Sequence, residues 1–156
     1  MRACLPPPAA ASGMTRKASR TGAAMVETAL VLPIFVLIVL GIVEFGRAFM
    51  VANLLAESAR HGARIAIVPG STNSSVEAEV KSRVSELVKV SGEFVDVEIS
   101  IAAHPQNPES NGQLDDSMKR DLVTVVVSVP FNKVNVMPIE WLSLTNLKGS
   151  CAMRHE

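Results

Sequence analysis

The sequence contains no tyrosine, one tryptophan and two cysteines in 156 residues, and aromatic residues make up only 4% of it. Cys4 and Cys151 are too few and too far apart to form a disulfide framework. The histidines His61, His104 and His155 are scattered, no serine or aspartate occupies a nucleophile-elbow context, and neither cysteine has a neighbour at metal-ligand spacing. No reaction is legible in this pattern, so the expectation is a protein without catalytic activity, metal or cofactor. His61 is expected to pair with Glu57 one helical turn earlier, and His104, which precedes Pro105, to sit in a turn.

Acidic residues are missing from the start of the chain, where Arg2, Arg16, Lys17 and Arg20 are the only charges before Ala23. Removing these four from the 15 basic residues leaves 11 against 15 acidic ones in everything that follows. A folded part with that balance argues against nucleic acid as a partner, because phosphate binding needs a basic face. The asymmetry fits the positive-inside pattern instead, with a cytoplasmic N-terminus and everything after Phe45 exported. Cys4 and Cys151 then lie on opposite sides of a membrane, and Cys151 is expected to be an unpaired thiol buried in the exported part, with a link to another chain as the alternative.

What is present is a long apolar run. Residues 23–43 hold a single charge, Glu27, and at about 1.5 Å per residue they span about 30 Å of hydrocarbon. Pro33 is expected to kink the helix or loosen a turn. Ahead of the run, residues 1–13 are Pro/Ala-rich and without periodicity, and Met14 opens a compact basic leader, so residues 1–22 are expected to be cleaved or disordered. The helical pattern continues through residues 44–68, because no Gly-Pro punctuation appears before "PGSTNSS" at Pro69 to Ser75. On a helical wheel Asn53, Glu57, Arg60, His61 and Arg64 share one face, and Gly41, Ala48, Ala52, Ala59 and Ala63 share another.

Residues 69–156, about 90 of them, leave room for a small sheet with one helix. Ser74 to Glu77 reads as a capping box, followed by Val76, Val80, Val84, Leu87 and Val88 at helical spacing, which predicts a helix from about Val76 to Val90. Val95, Val97, Ile99 and Ile101 alternate with Asp96, Glu98 and Ser100, the period of a half-buried strand. After the loop "HPQNPESNGQLDD", the stretch "LVTVVVSV" from Leu122 to Val129 reads as a strand buried on both faces or nearly so. The segment "FNKVNVMPIEW" is irregular, and residues 145–154 form a last strand with Gly149 as a bulge. The fold class is therefore α+β: a long transmembrane and amphipathic helix, a short helix, and a small antiparallel sheet of about three strands.

Basic residues, Gly22, four uncharged residues, Glu27 and then an apolar run make up an order that resembles the leader of type IV pilin-like proteins, in which a membrane peptidase cuts after the glycine. The resemblance is closest to the TadE-like pseudopilins of tight-adherence (Tad/Flp) pilus systems. It rests on "RTGAAMVETALVLPIF" at Arg20 to Phe35, on "GIVEFGRAF" and "AESARHGARIA" within Gly41 to Ala66, and on the closing "LKGSCAMRHE". Thr28 stands where such relatives usually place an aromatic residue. The resemblance implies a pilin-like minor pseudopilin acting in pilus assembly, processed between Gly22 and Ala23. It also implies a single pass through a bacterial inner membrane, a periplasmic head, and incorporation into an extracellular pilus as a further expectation. The partners implied are other pilin-like subunits, the Tad secretion machinery and the prepilin peptidase. The alternative is a signal-anchored periplasmic or cell-surface binding protein, in which the helix is only a tether.

Within the resemblance, Glu27 has a physical role. Cleavage after Gly22 creates an α-amine on Ala23, and in pilin-like assemblies such a glutamate is thought to neutralise the amine of a neighbouring subunit. A lone carboxylate in hydrocarbon costs roughly 2.5–3.5 kcal/mol by insertion scales, and pairing removes the reason for that penalty. A glutamate held at the lipid headgroups is the competing explanation. The candidate assembly and packing residues beyond it are Glu44, Arg47, Glu57, Ala59, Arg60, Ala63 and Arg64. Glu44 with Arg47 equally fits an interfacial ion pair ending the span, and Glu57 with Arg60 and Arg64 equally fits a solvated face. The alanine seam fits close approach by a second helix or by the head itself.

Overall fold

The computed structural model describes residues 20–108, 111–135 and 145–155. Helix α1, Arg20–Ala66, has 47 residues and continues through Pro33 as uninterrupted helix, so the proline's missing N–H does not end the element. Thr28 is satisfied inside the same helix, its Oγ1 donating to the Ala24 carbonyl at 2.8 Å. Among the described residues α1 is the one helix long and apolar enough to cross a membrane.

Two compact units divide the chain between Val39 and Leu40. In the first, the large apolar side chains from Met25 to Val39 all stand exposed on the helix. A surface of that kind is covered by lipid or by other helices, because water leaves it without any favourable contact.

The second unit is an α+β head. On its part of α1, Val51, Leu55, Ala59, Ala63 and Ala66 recur at three- and four-residue intervals and are buried. Helix α2, Asn73–Val88, buries Val76, Val80, Val84 and Val88 in the same way. Strands β1 (Asp96–Ala102), β2 (Leu122–Pro130) and β3 (Asn146–Arg154) pair antiparallel in the order β1-β2-β3. The register aligns Ile99 with Val125 and Val125 with Cys151, so these three residues form one row on the face that meets the helices. Cys151 carries a free thiol and is half-buried in that row rather than fully enclosed.

Several local expectations are corrected. The N-cap of α2 is Thr72 rather than Ser74: its side chain accepts from the Ser75 N–H, and the Ser75 hydroxyl answers to the Thr72 N–H, so the capping box is Thr72–Ser75. A serine at the third helical position replaces the expected Glu77, since any side-chain oxygen that reaches the free N–H will serve. Strand β2 is buried on one face only, with Val123, Val125, Val127 and Val129 fully enclosed and Thr124, Val126 and Ser128 half-buried. The valine at 126 hid the period-two alternation of a one-sided antiparallel strand. Gly149 is not a bulge, because it pairs in register with Val127. The irregular segment predicted at residues 131–141 begins as a short 3-10 turn, Phe131–Lys133, and its remainder from residue 136 lies outside the described residues.

Gly149 is instead the point where β3 meets α1. A Cβ there would lie 2.7 Å from Ala56 Cα and closer still to the Ala56 nitrogen and the Leu55 carbonyl carbon. Gly62 plays the matching part for α2, since a Cβ on it would lie 2.6 Å from Val80 Cγ2 and 3.4 Å from Val125 Cγ1. Two glycines thus set the depth to which the head segment of α1 sinks into the sheet and the second helix.

Candidate assembly surfaces

Gly22, Ala23 and Glu27 lie on the first turns of α1. Ala23 and Glu27 are separated by one helical turn, about 6 Å of rise. Around Gly22 there is open space, and Glu27 is exposed among Val26, Leu30 and Val31. Among the described residues no hydrogen bond or ion pair reaches Glu27.

Where the head begins, the chemistry changes. Glu44 is buried, with 5% of its surface exposed. The Arg47 Nε donates to the carbonyl of Val134, which fixes α1 to the turn after β2 by a charge-assisted bond that the i,i+3 pattern does not foresee. Ala59 and Ala63 are fully enclosed by the head's own core, so their small side chains serve the approach of α1 to its own sheet and second helix.

The charged face of α1 has a different fate. Asn53, Ala56, Glu57, Arg60, His61 and Arg64 join Arg83 of α2 to line a groove of about 490 Å³ on the head. His61 Nε2 lies 3.9 Å from Glu79 of α2, and the expected His61–Glu57 pairing does not form, because Glu57 is turned to Arg83 at 3.6 Å. Cross-helix partners win here because α2 packs alongside α1 through Gly62, bringing its acidic and basic side chains within reach. Arg60 and Arg64 are exposed and have no ion-pair partner among the described residues. Arg83 Nε is buried and makes no hydrogen bond among them. The groove therefore presents three guanidinium groups against one carboxylate, which suits a planar acidic group.

The loop between β1 and β2 carries a second buried charge that sequence reasoning missed. Asp121 is fully enclosed. Its Oδ1 accepts from the His104 backbone N–H at 2.9 Å and from Asn107 Nδ2 at 2.7 Å, and its Oδ2 accepts from the Met118 N–H at 2.8 Å. Burial alone pushes the Asp121 carboxyl up, but the His104 and Met118 amides, the Asn107 amide and the His104 ring outweigh it and hold the carboxyl below its ordinary value. Expected as a turn residue, His104 holds that loop mainly through its backbone, its N–H donating to Asp121 and its carbonyl accepting from the Asn107 N–H at 2.8 Å, while its ring Nδ1 accepts from the Gln106 N–H at 3.4 Å. Asn73 then ties the loop to α2, donating to Gly112 and accepting from Leu114.

Comparison with known proteins adds one finding: the family model described as TadE-like protein matches residues 22–64. The matched segment runs from the glycine before Ala23 to Arg64 in the basic groove, and so takes in both the apolar stretch and much of the α1 face in the head. Neither the curated proteins nor the solved structures contain a match to this chain.

Proposed function

We propose that this chain, TadE-like over residues 22–64, is a non-catalytic minor pseudopilin that takes part in assembling a Tad/Flp-type pilus. The observation that carries the reading is an apolar helix, the one such helix among the described residues, with a carboxylate, Glu27, that has no partner among them and lies one turn after Ala23, inside a segment related to a pilus component family. In this reading the basic leader stays in the cytoplasm, the prepilin peptidase cuts between Gly22 and Ala23, and the head stands in the periplasm. The new α-amine of Ala23 on one subunit then faces Glu27 of its neighbour. Other pilin-like subunits and the Tad secretion machinery are the partners, and the inner membrane is where the chain resides before any incorporation into a pilus.

The test pairs two measurements on the chain expressed with its native pilus genes. Mass spectrometry of the membrane fraction should find a mature chain that begins at Ala23. Glu27→Gln should be inserted and processed as the wild type is, yet fail to co-purify with the other pilin-like subunits, because it leaves the neighbour's amine buried without a counter-charge, a loss of roughly 3–5 kcal/mol. A chain that still begins at Met1 or Met14 would refute the pseudopilin reading in favour of a simple tether, and normal co-purification of processed Glu27→Gln would remove Glu27 from assembly.

A further inference from the structure

The acidic counterpart of the basic groove is present on the head itself. Among the described residues strand β1 is an edge strand, paired on one side only. Asp96 and Glu98 project from it on the face turned away from the helices, both exposed and without an ion-pair partner among the described residues. Two residues apart in a strand, they stand about 7 Å apart, and Arg60 and Arg64, four apart in a helix, stand about 6 Å apart. Two carboxylates and two guanidinium groups at matching intervals allow two charge-assisted contacts at once. Glu57 offsets Arg83, which it meets at 3.6 Å, and leaves Arg60 and Arg64 as the groove's uncompensated charges among the described residues.

A lipid headgroup suits the groove less well. Arg60 lies 17 residues of α1 beyond Val43, about 25 Å of helix rise, whereas the headgroup layer adds only about 5–8 Å to each side of the hydrocarbon. A protein surface at the height of the head is the better match.

We propose that the α1–α2 groove of one copy receives the outer face of strand β1 of a second copy, with Arg60 and Arg64 meeting Asp96 and Glu98. The contact is heterologous: it joins unlike surfaces, and each joined pair still has one free groove and one free β1 face. Such contacts propagate rather than close unless rotation forms a ring. The proposal rests on the assembly reading in that copies of the chain must meet. It is separable in the laboratory, because it depends neither on processing at Gly22 nor on Glu27.

The experiment uses full-length protein in detergent micelles and reads self-association by sedimentation. Arg60→Glu with Arg64→Glu gives one variant, and Asp96→Lys with Glu98→Lys gives another. Each alone should self-associate about tenfold more weakly than wild type, or more weakly still, because like charges then face each other. An equimolar mixture should recover wild-type association, since the acidic groove of one variant meets the basic strand of the other. Raising salt from about 0.1 M to about 0.5 M should weaken the wild-type contact. Recovery on mixing also shows that both variants are folded. A wild-type chain that stays monomeric, variants that associate as it does, or a mixture that fails to recover would each overturn the proposal.

Discussion

Replacing Gly149 by alanine tests the closest approach in the head. The added Cβ would lie 2.7 Å from Ala56 Cα, with two further α1 backbone atoms nearer still. Carbon atoms prefer about 3.5–4.0 Å, so α1 or β3 must retreat by about 1 Å. Rotating a side chain does not relieve this, because the three nearest atoms all belong to the α1 main chain. Overpacking costs about 1–3 kcal/mol and occasionally more, and a main-chain clash on both sides puts this change at the upper end. Alanine recovers about 0.5–1 kcal/mol over glycine within a strand, leaving a net loss of about 2 kcal/mol. For a head of this size that is a fall of about 8 °C in the unfolding midpoint. Pulse proteolysis of the full-length protein in detergent, across a urea series, measures the loss, with Gly46→Ala as the control because a Cβ at that helical glycine meets nothing within 4 Å. Gly46→Ala should be neutral or stabilising by up to about 1 kcal/mol. If Gly149→Ala lay within about 0.5 kcal/mol of wild type, the reasoning that α1 rests main chain to main chain on β3 would be wrong.

Asp121→Asn keeps the shape but turns an amide donor toward the donors that surround the carboxylate, and should cost the head about 2–4 kcal/mol in the same assay at neutral pH. Because the folded carboxyl sits below its unfolded value of about 3.9, its contribution is complete above that pH and disappears as the pH falls through the lower folded value. The gap between wild type and Asp121→Asn should therefore stay constant from about pH 5 to 8 and shrink below about pH 4. Lys89→Gly should stabilise the head by about 0.5–1 kcal/mol, since Lys89 closes α2 in a left-handed conformation, at φ 62°, where glycine meets no penalty from its Cβ.

The elements were legible in the sequence because each carries a period. Ala59 and Ala63 of the expected seam are buried while Gly41, Ala48 and Ala52 are only half-buried, Val76, Val80, Val84 and Val88 of the α2 series are buried while Leu87 stands exposed, and the alternation in β1 agrees with the strand observed. What stayed hidden were relations between elements. Glu57 and His61 look like partners on an isolated helix, and only the arrival of α2 beside Gly62 shows that Arg83 and Glu79 take them instead. Asp121 sits in a loop among other polar residues, and nothing in one dimension reveals that two backbone amides and Asn107 converge on it. Gly149 read as a bulge because a glycine inside a strand pattern signals either a bulge or a close approach of another main chain, and the choice depends on a helix about 90 residues away in sequence.

The glycines and the basic groove are linked by that same geometry. If α1 rode higher on the sheet, as it would with a side chain at Gly62 or Gly149, α2 would stand farther from Arg60 and Arg64, and Arg83 would no longer reach Glu57. Once Glu57 is released from Arg83 it becomes available to Arg60 and Arg64 on its own helix face, at three and seven residues' distance, the first of these within ordinary i,i+3 reach. The groove would then neutralise itself. The close packing of α1 against the head is therefore also what leaves Arg60 and Arg64 without an acidic partner among the described residues, the state that the proposed contact with a second copy requires.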